Sequence, residues 1–181
     1  MSELVLGAEP DTPGLRTNQD LDPVALRTAF GIFPSGVVAV AAEVDGRVVG
    51  LAASSFTSVS LDPPLVSVNL ARTSATWPDL RRAAHLGVTV LAGHHGPLCQ
   101  QLAGPAAARF DGVRHTVDAN GAVTLPDGLA LFDCTIEREV EAGDHVLVLL
   151  RLHAVRHADP DASDDPLVFH RSGLGRRLRT T

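Results

Sequence analysis

The sequence has no lysine and no tyrosine. All 15 basic residues are arginine, which excludes Schiff-base chemistry and covalently held pyridoxal phosphate. No tyrosine can act as a catalytic acid. Cysteine occurs only as Cys99 and Cys134. Two cysteines without C-x-x-C spacing do not form a disulfide framework, and they read as buried thiols in a reducing compartment. Basic charge is also scarce, with 21 acidic residues against the 15 basic ones and a net charge of −6. That balance argues against a nucleic-acid partner, because binding phosphates along a strand needs a basic face. No apolar run reaches the length of a membrane span. The N-terminus lacks the basic start and long apolar run of a signal peptide, so a cytoplasmic location is expected. His94-His95 with Cys99 lacks the spacing of a structural zinc site, and no metal is expected.

What is present is the composition of one globular domain: 181 residues, 45% of them apolar. Residues 1–20 show no periodicity and read as a flexible arm, 21–172 as the domain, and 173–181 as a loose tail. Asp22-Pro23 is a helix start, and the helix should end before Pro34. Residues 37–44 and 47–52 are apolar β runs around Asp45-Gly46, a hairpin turn pair. Further strands are expected over 56–60, 65–70, 86–92, 129–140, 145–157 and 167–170. Short helices are expected over 77–84, 97–103 and 105–110, and a weak hairpin around Asn120-Gly121. Residues 159–165 read as an acidic surface loop. Adjacent β runs joined by short turns argue for a mainly β domain, an antiparallel sheet or barrel with a few helices.

The most informative stretch is Gly50 to Thr76. Hydroxyls crowd Ser54, Ser55, Thr57, Ser58 and Ser60, and Pro63-Pro64 then leads into the β run Leu65–Leu70. Such a polar stretch beside a core needs hydrogen-bond partners. A planar polar ligand with a phosphate tail would satisfy it, and so would an amphipathic strand with a wet outer face. Ser74 and Thr76 stand at an expected helix start, where unpaired N–H groups favour a phosphate or a simple cap. Rossmann and P-loop fingerprints are absent; Gly173-Leu174-Gly175 has no helix after it.

The segment Ala53-Ser54-Ser55-Phe56-Thr57-Ser58-Val59-Ser60-Leu61-Asp62-Pro63-Pro64-Leu65-Val66 resembles the signature of the flavin reductase-like family. Gly143-Asp144-His145 resembles that family's G-D-H motif, and Pro166-Leu167-Val168-Phe169-His170-Arg171 its C-terminal segment. The three motifs occur in the family's order across residues 22–172. The resemblance implies an FMN-binding split β-barrel, usually a homodimer. It implies an NAD(P)H:flavin oxidoreductase that passes a hydride from NADH or NADPH to FMN or FAD and supplies reduced flavin to a separate monooxygenase.

By the same resemblance, Ala53, Ser54, Ser55, Val59 and Ser60 contact the flavin, and Ser74 and Thr76 its phosphate. Arg109 and Phe110 stand near the cofactor, where the family often has Lys-Phe. His145 is the catalytic candidate, as a positioning group or proton donor, with Asp144 orienting it. Phe169, His170 and Arg171 lie toward the nicotinamide side. The family often continues with Gly and an aromatic; here Ser172-Gly173-Leu174 follows. Two other readings fit the residues: a flavoprotein that keeps FMN and acts on its own small substrate, and a non-enzymatic flavin binder.

Overall fold

A computed structural model describes residues 21–159 and 164–176. The expected arm over 1–20, most of the acidic loop and residues 177–181 lie outside the described residues. Chain order begins with α1 (Pro23–Gly31), β1 (Ser35–Gly36), β2 (Val38–Val44), β3 (Arg47–Ala53), β4 (Thr57–Leu61) and β5 (Pro64–Ala71). There follow α2 (Trp77–Leu80), β6 (Leu86–Val90), α3 (Gly96–Ala103), β7 (Thr116–Val117), β8 (Val123–Thr124) and β9 (Ala130–Ala142). The last elements are β10 (His145–His157), β11 (Leu167–His170) and β12 (Gly173–Arg176).

One seven-stranded sheet runs in the order β3-β2-β6-β9-β10-β5-β4, with every neighbouring pair antiparallel. Its two edge strands, β3 and β4, follow one another in the chain. Only residues 54–56 join them. The sheet therefore curls until its edges approach, and it stays open along that short segment. This is the split barrel that the sequence predicts, and it places the hydroxyl-rich stretch at the opening.

The core explains the curl. β2 is buried on both faces, which is why it reads as an unbroken apolar run. Val38, Val40, Ala42 and Val44 join the barrel interior with Val66, Val68, Leu70, Val148 and Leu150. Val37 and Ala39 face a second cluster under α3 and β11, with Leu102 and Leu167. Gly50 is needed where β3 crosses this layer. A Cβ there would lie 2.6 Å from the Val40 carbonyl oxygen and 2.9 Å from Phe110. Cys99 and Cys134 are buried free thiols, as expected. Burial pushes the Cys134 thiol up to about 12, with the Asp133 charge adding to it, so it stays neutral and packs as a small apolar group.

Three local expectations change. The helix expected over 77–84 stops at Leu80. Arg82 and Ala83 donate to Asp79 and Leu80, three residues back, and this tighter winding returns the chain to β6. The second change is at the C-terminus. Residues 173–176 were expected to be loose, yet they form β12, paired with β11 from Leu167↔Arg176 to His170↔Gly173. The two-residue turn between them, Arg171-Ser172, has φ values of 49° and 61°. That is the backbone of a tight hairpin without the usual Asn-Gly, so the residue types gave no signal. Third, β1 pairs with β11 and was not expected.

α1 is capped as predicted, with Asp22 Oδ1 accepting from the N–H groups of Val24 and Ala25, both at 2.8 Å. No residue of α1 is buried. Val24, Phe30 and the following Phe33 are each 70% exposed or more.

Candidate functional site

Where β3 and β4 part, the backbone leaves the ladder. β4 pairs with β5 from Thr57↔Ser67 onward, so the same register carried two positions back would set Ser55 opposite Asn69. There the Ser55 side chain takes over from the missing strand. Its Oγ donates to the Asn69 carbonyl at 3.0 Å and accepts from the Asn69 N–H at 2.9 Å. The clasp holds the segment open and uses the hydroxyl's one donor. Ser55 therefore positions this segment rather than donating to a ligand. Ala53, Ser54 and Ser55 line a cavity of about 690 Å³ beside the split. That volume suits a small-molecule or cofactor site.

Arg109 forms part of another wall of this cavity. Its Nε donates to the Gly104 carbonyl at 2.9 Å, and Nη1 donates to the Gly50 carbonyl at 3.0 Å and to Thr76 Oγ1 at 2.8 Å. Three of its five N–H groups are so used, and the two on Nη2 have no partner among the described residues. Nor does any carboxylate there pair with this half-buried guanidinium. An unpaired cation in such a wall favours an anion from outside. Ser74 lines the same cavity. Its Oγ accepts from Thr76 N–H at 3.3 Å and Trp77 N–H at 3.2 Å, which leaves its own O–H free to donate. Thr76 is buried and touches the cavity only through Arg109. α2 is a single turn, so Arg109 and Ser74, not a helix dipole, supply the attraction for a phosphate.

His145 lines the same cavity. It opens β10 after the two-residue turn Gly143-Asp144, in which Gly143 has a φ of 64°, a value that suits glycine. The Asp144 backbone carbonyl accepts from Arg72 N–H at 2.9 Å, fixing the turn to the end of β5. The His145 Nδ1 lies 2.7 Å from Asp144 Oδ1. That hydrogen bond holds the Asp144 carboxyl below its ordinary value, and the charge of His145 adds to the effect. The carboxylate favours the tautomer with a proton on Nδ1 and leaves Nε2 for a ligand.

A second cavity of about 670 Å³ adjoins the first and is lined by Phe30, Phe33, Phe56 and Phe169 among others. The structure thus brings Ala53, Ser54, Ser55, Ser74, Arg109 and His145 to one cavity and Phe169 to its neighbour. Phe110 packs against the cluster beneath α3 and does not line the cavity. The remaining expected residues lie elsewhere. Val59 sits at a bulge on edge strand β4, and Ser60 pairs with Leu65 there; neither lines the cavity. His170 borders a separate apolar cleft with Pro34 and Leu174. Arg171 is a turn residue whose N–H donates to the Gly31 carbonyl at 2.7 Å. Sequence reasoning missed Asn69, Ala71 and Leu147, which share the cavity face. Their strand alternation with Ser67 and His145 was the available signal.

His94, His95 and Asp127 bring three candidate metal-ligand atoms within 4.8 Å of one another. The hydrogen bonds oppose a metal. His95 Nδ1 accepts from the Ala92 N–H at 3.0 Å, so the neutral ring carries its proton on Nε2 and has no lone pair left to give. Asp127 is already bonded to Arg114.

The flavin reductase like domain is matched over residues 30–176. A Pseudomonas putida protein named flavin reductase is 36% identical over 156 residues, covering 86% of this chain and 90% of its own. The reductase subunit of a flavin-dependent monooxygenase from Rhodococcus jostii is 32% identical, over 83% of this chain and 76% of its own. The chain spans only 46% of a longer Rhizobium meliloti relative named a probable flavin reductase. Among solved structures, a Streptomyces globisporus NADH:FAD oxidoreductase in complex with NAD and FAD fragments superposes with a TM-score of 0.82 at 28% identity, over 92% of this chain and 98% of that one. With its split barrel, open edge and matched motifs, this chain belongs to the flavin reductase-like family.

Proposed function

We propose that this chain is an NAD(P)H-dependent flavin reductase whose flavin occupies the cavity between Ser54, Arg109 and His145. A bound flavin supplies an acceptor for a hydride from a reduced nicotinamide. The chain's part is to bind, align and shelter. Arg109 and Ser74 hold the phosphate, and the backbone freed at the split, with Ser54, meets the polar rim of the ring. His145, steadied by Asp144, presents Nε2 as a positioning group, an acceptor in the neutral ring and a proton donor once the ring carries both protons. The observation that carries the reading is the Arg109 guanidinium, with no carboxylate partner and a free Nη2 among the described residues, in the wall of a cavity it shares with Ser54, Ser74 and His145. NADH as donor and FMN or FAD as acceptor are supported by the names of relatives. A monooxygenase that receives the reduced flavin is the natural partner class, and a cytoplasmic site fits where reduced nicotinamide is found.

The decisive assay follows NADH and NADPH oxidation by purified protein, with and without FMN, FAD or riboflavin. Turnover that depends on added flavin is expected. Turnover by a yellow protein without added flavin would favour a retained cofactor. Flavin binding without any oxidation would leave a flavin binder and sink the reductase.

A homodimer belongs to the same proposal. α1 buries none of its residues, and Phe30 and the following Phe33 form an exposed apolar face on the second cavity. A second copy covering that face would remove it from water. Light scattering on the eluted protein is expected to give twice the chain mass; a monomer at micromolar concentration would refute it.

A further inference from the structure

The two cavities meet at three residues, Ser54, Ser55 and Asn69, which line both. Ser55 has spent its donor on the backbone clasp. Asn69 is different. Asparagine is a poor strand former, yet it stands within β5 between Val68 and Leu70, two buried residues. Its backbone N–H and carbonyl are both held by Ser55 Oγ, so the strand's pairing there does not call for an asparagine side chain. Its carboxamide makes no hydrogen bond among the described residues, and the residue is exposed. On the cross-strand lattice Asn69 faces Leu147 and Ala71 faces His145. Asn69 and His145 are therefore diagonal neighbours on one face, roughly 7–8 Å apart.

Building on the reductase reading, we infer that the Asn69 carboxamide selects the hydride donor by pairing with the primary carboxamide of its nicotinamide ring. Hydride transfer brings the two rings to roughly 3–3.5 Å, so the donor ring lies where the cavities join. The polar handle on that ring is an amide with one carbonyl acceptor and an N–H₂ donor. Asn69 presents the complement and can make two reciprocal N–H···O bonds. Among the seam residues Ser55 is spent on the clasp and Ser54 offers a single hydroxyl; Asn69 is the one with a carbonyl acceptor and an N–H₂ donor side by side on one planar group.

The test compares NADH with its reduced 3-acetylpyridine analogue, in which a methyl group replaces the amide nitrogen. kcat/KM for each is measured at saturating flavin in wild type, Asn69→Leu and Asn69→Ala, with flavin affinity read from fluorescence quenching. Wild type is expected to prefer NADH. Both variants should lower that preference by about tenfold, since a site built to hydrogen-bond a group discriminates against its loss. Flavin affinity should stay within about twofold, a change too small to matter on the binding scale. The intrinsic reactivity difference between the two donors is common to all three proteins and cancels in the comparison. An unchanged preference in a folded variant overturns the inference, as does weaker flavin binding with the preference intact. Wild type that oxidises neither donor refutes the reductase reading itself, and this inference with it; that result is read before any variant is made.

Discussion

Replacing Arg109 by methionine is expected to weaken flavin binding by on the order of 100-fold, with a smaller loss of thermal stability. Methionine keeps the length and apolar stem of the side chain and removes its charge. The magnitude follows from the free Nη2 group: hydrogen bonds to a charged partner contribute about 1.5–3 kcal/mol each, and about 1.4 kcal/mol corresponds to tenfold in affinity. The three bonds that Arg109 makes to Gly104, Gly50 and Thr76 are lost as well, so part of the effect is structural. Arg109→Lys separates the two contributions. It keeps the charge but loses the planar fork, and it should fall between wild type and methionine. Fluorescence titration with FMN and with riboflavin, which lacks the phosphate, is the measurement. The methionine variant should lose affinity for FMN and little for riboflavin. Equal losses for both would show that Arg109 shapes the cavity without holding a phosphate.

Leu150→Ala should cost about 2–5 kcal/mol of folding stability, the range for a leucine removed from a packed core. That is a large share of the roughly 5–15 kcal/mol available to a domain. Leu150 is fully buried at the centre of β10 and stands opposite Val66 on β5 and Ile136 on β9. A cavity there loosens the strand that also carries Leu147 and His145. Urea denaturation followed by tryptophan fluorescence reads the loss directly, as Trp77 belongs to the same core cluster. A midpoint shift equivalent to less than about 0.5 kcal/mol, the size expected for a neutral surface change, would mean that the barrel interior is packed differently.

Two hairpins show how far residue types reach. Asp45-Gly46 turns the chain between Val44 and Arg47 with both φ values positive, at 53° and 71°. The pair is chemically suited to that backbone, and the hairpin is visible in the sequence. Arg171-Ser172 makes a turn with similar φ values but without such residues. β12 is held by its ladder to β11 and by Leu174 packing on the cluster under α3. Those contacts come from remote parts of the chain, so no local pattern announces them. The same division runs through the site. The motif residues Ser54, Ser55 and His145 were legible as a group, because they stand in segments that resemble the family's motifs and follow its order. Val59 and Ser60 share the same motif but lie along the edge strand, since only the first part of the motif coincides with the opening.

The sequence by itself determined the mainly β architecture, the capped first helix, the Asp45-Gly46 hairpin and the membership of the chain in its family. These follow from local chemistry: alternation, cap and turn residues, and motifs each contained in a short segment. Tertiary structure alone decided that edge strands β3 and β4 converge, that Ser55 spends its hydroxyl on Asn69, and that Arg109 reaches Gly50 and Thr76 with two N–H groups to spare. The first follows from the curl of the whole sheet, and the other two need residues 14 to 59 positions apart brought within hydrogen-bond distance. Only the closing of the sheet fixes that distance.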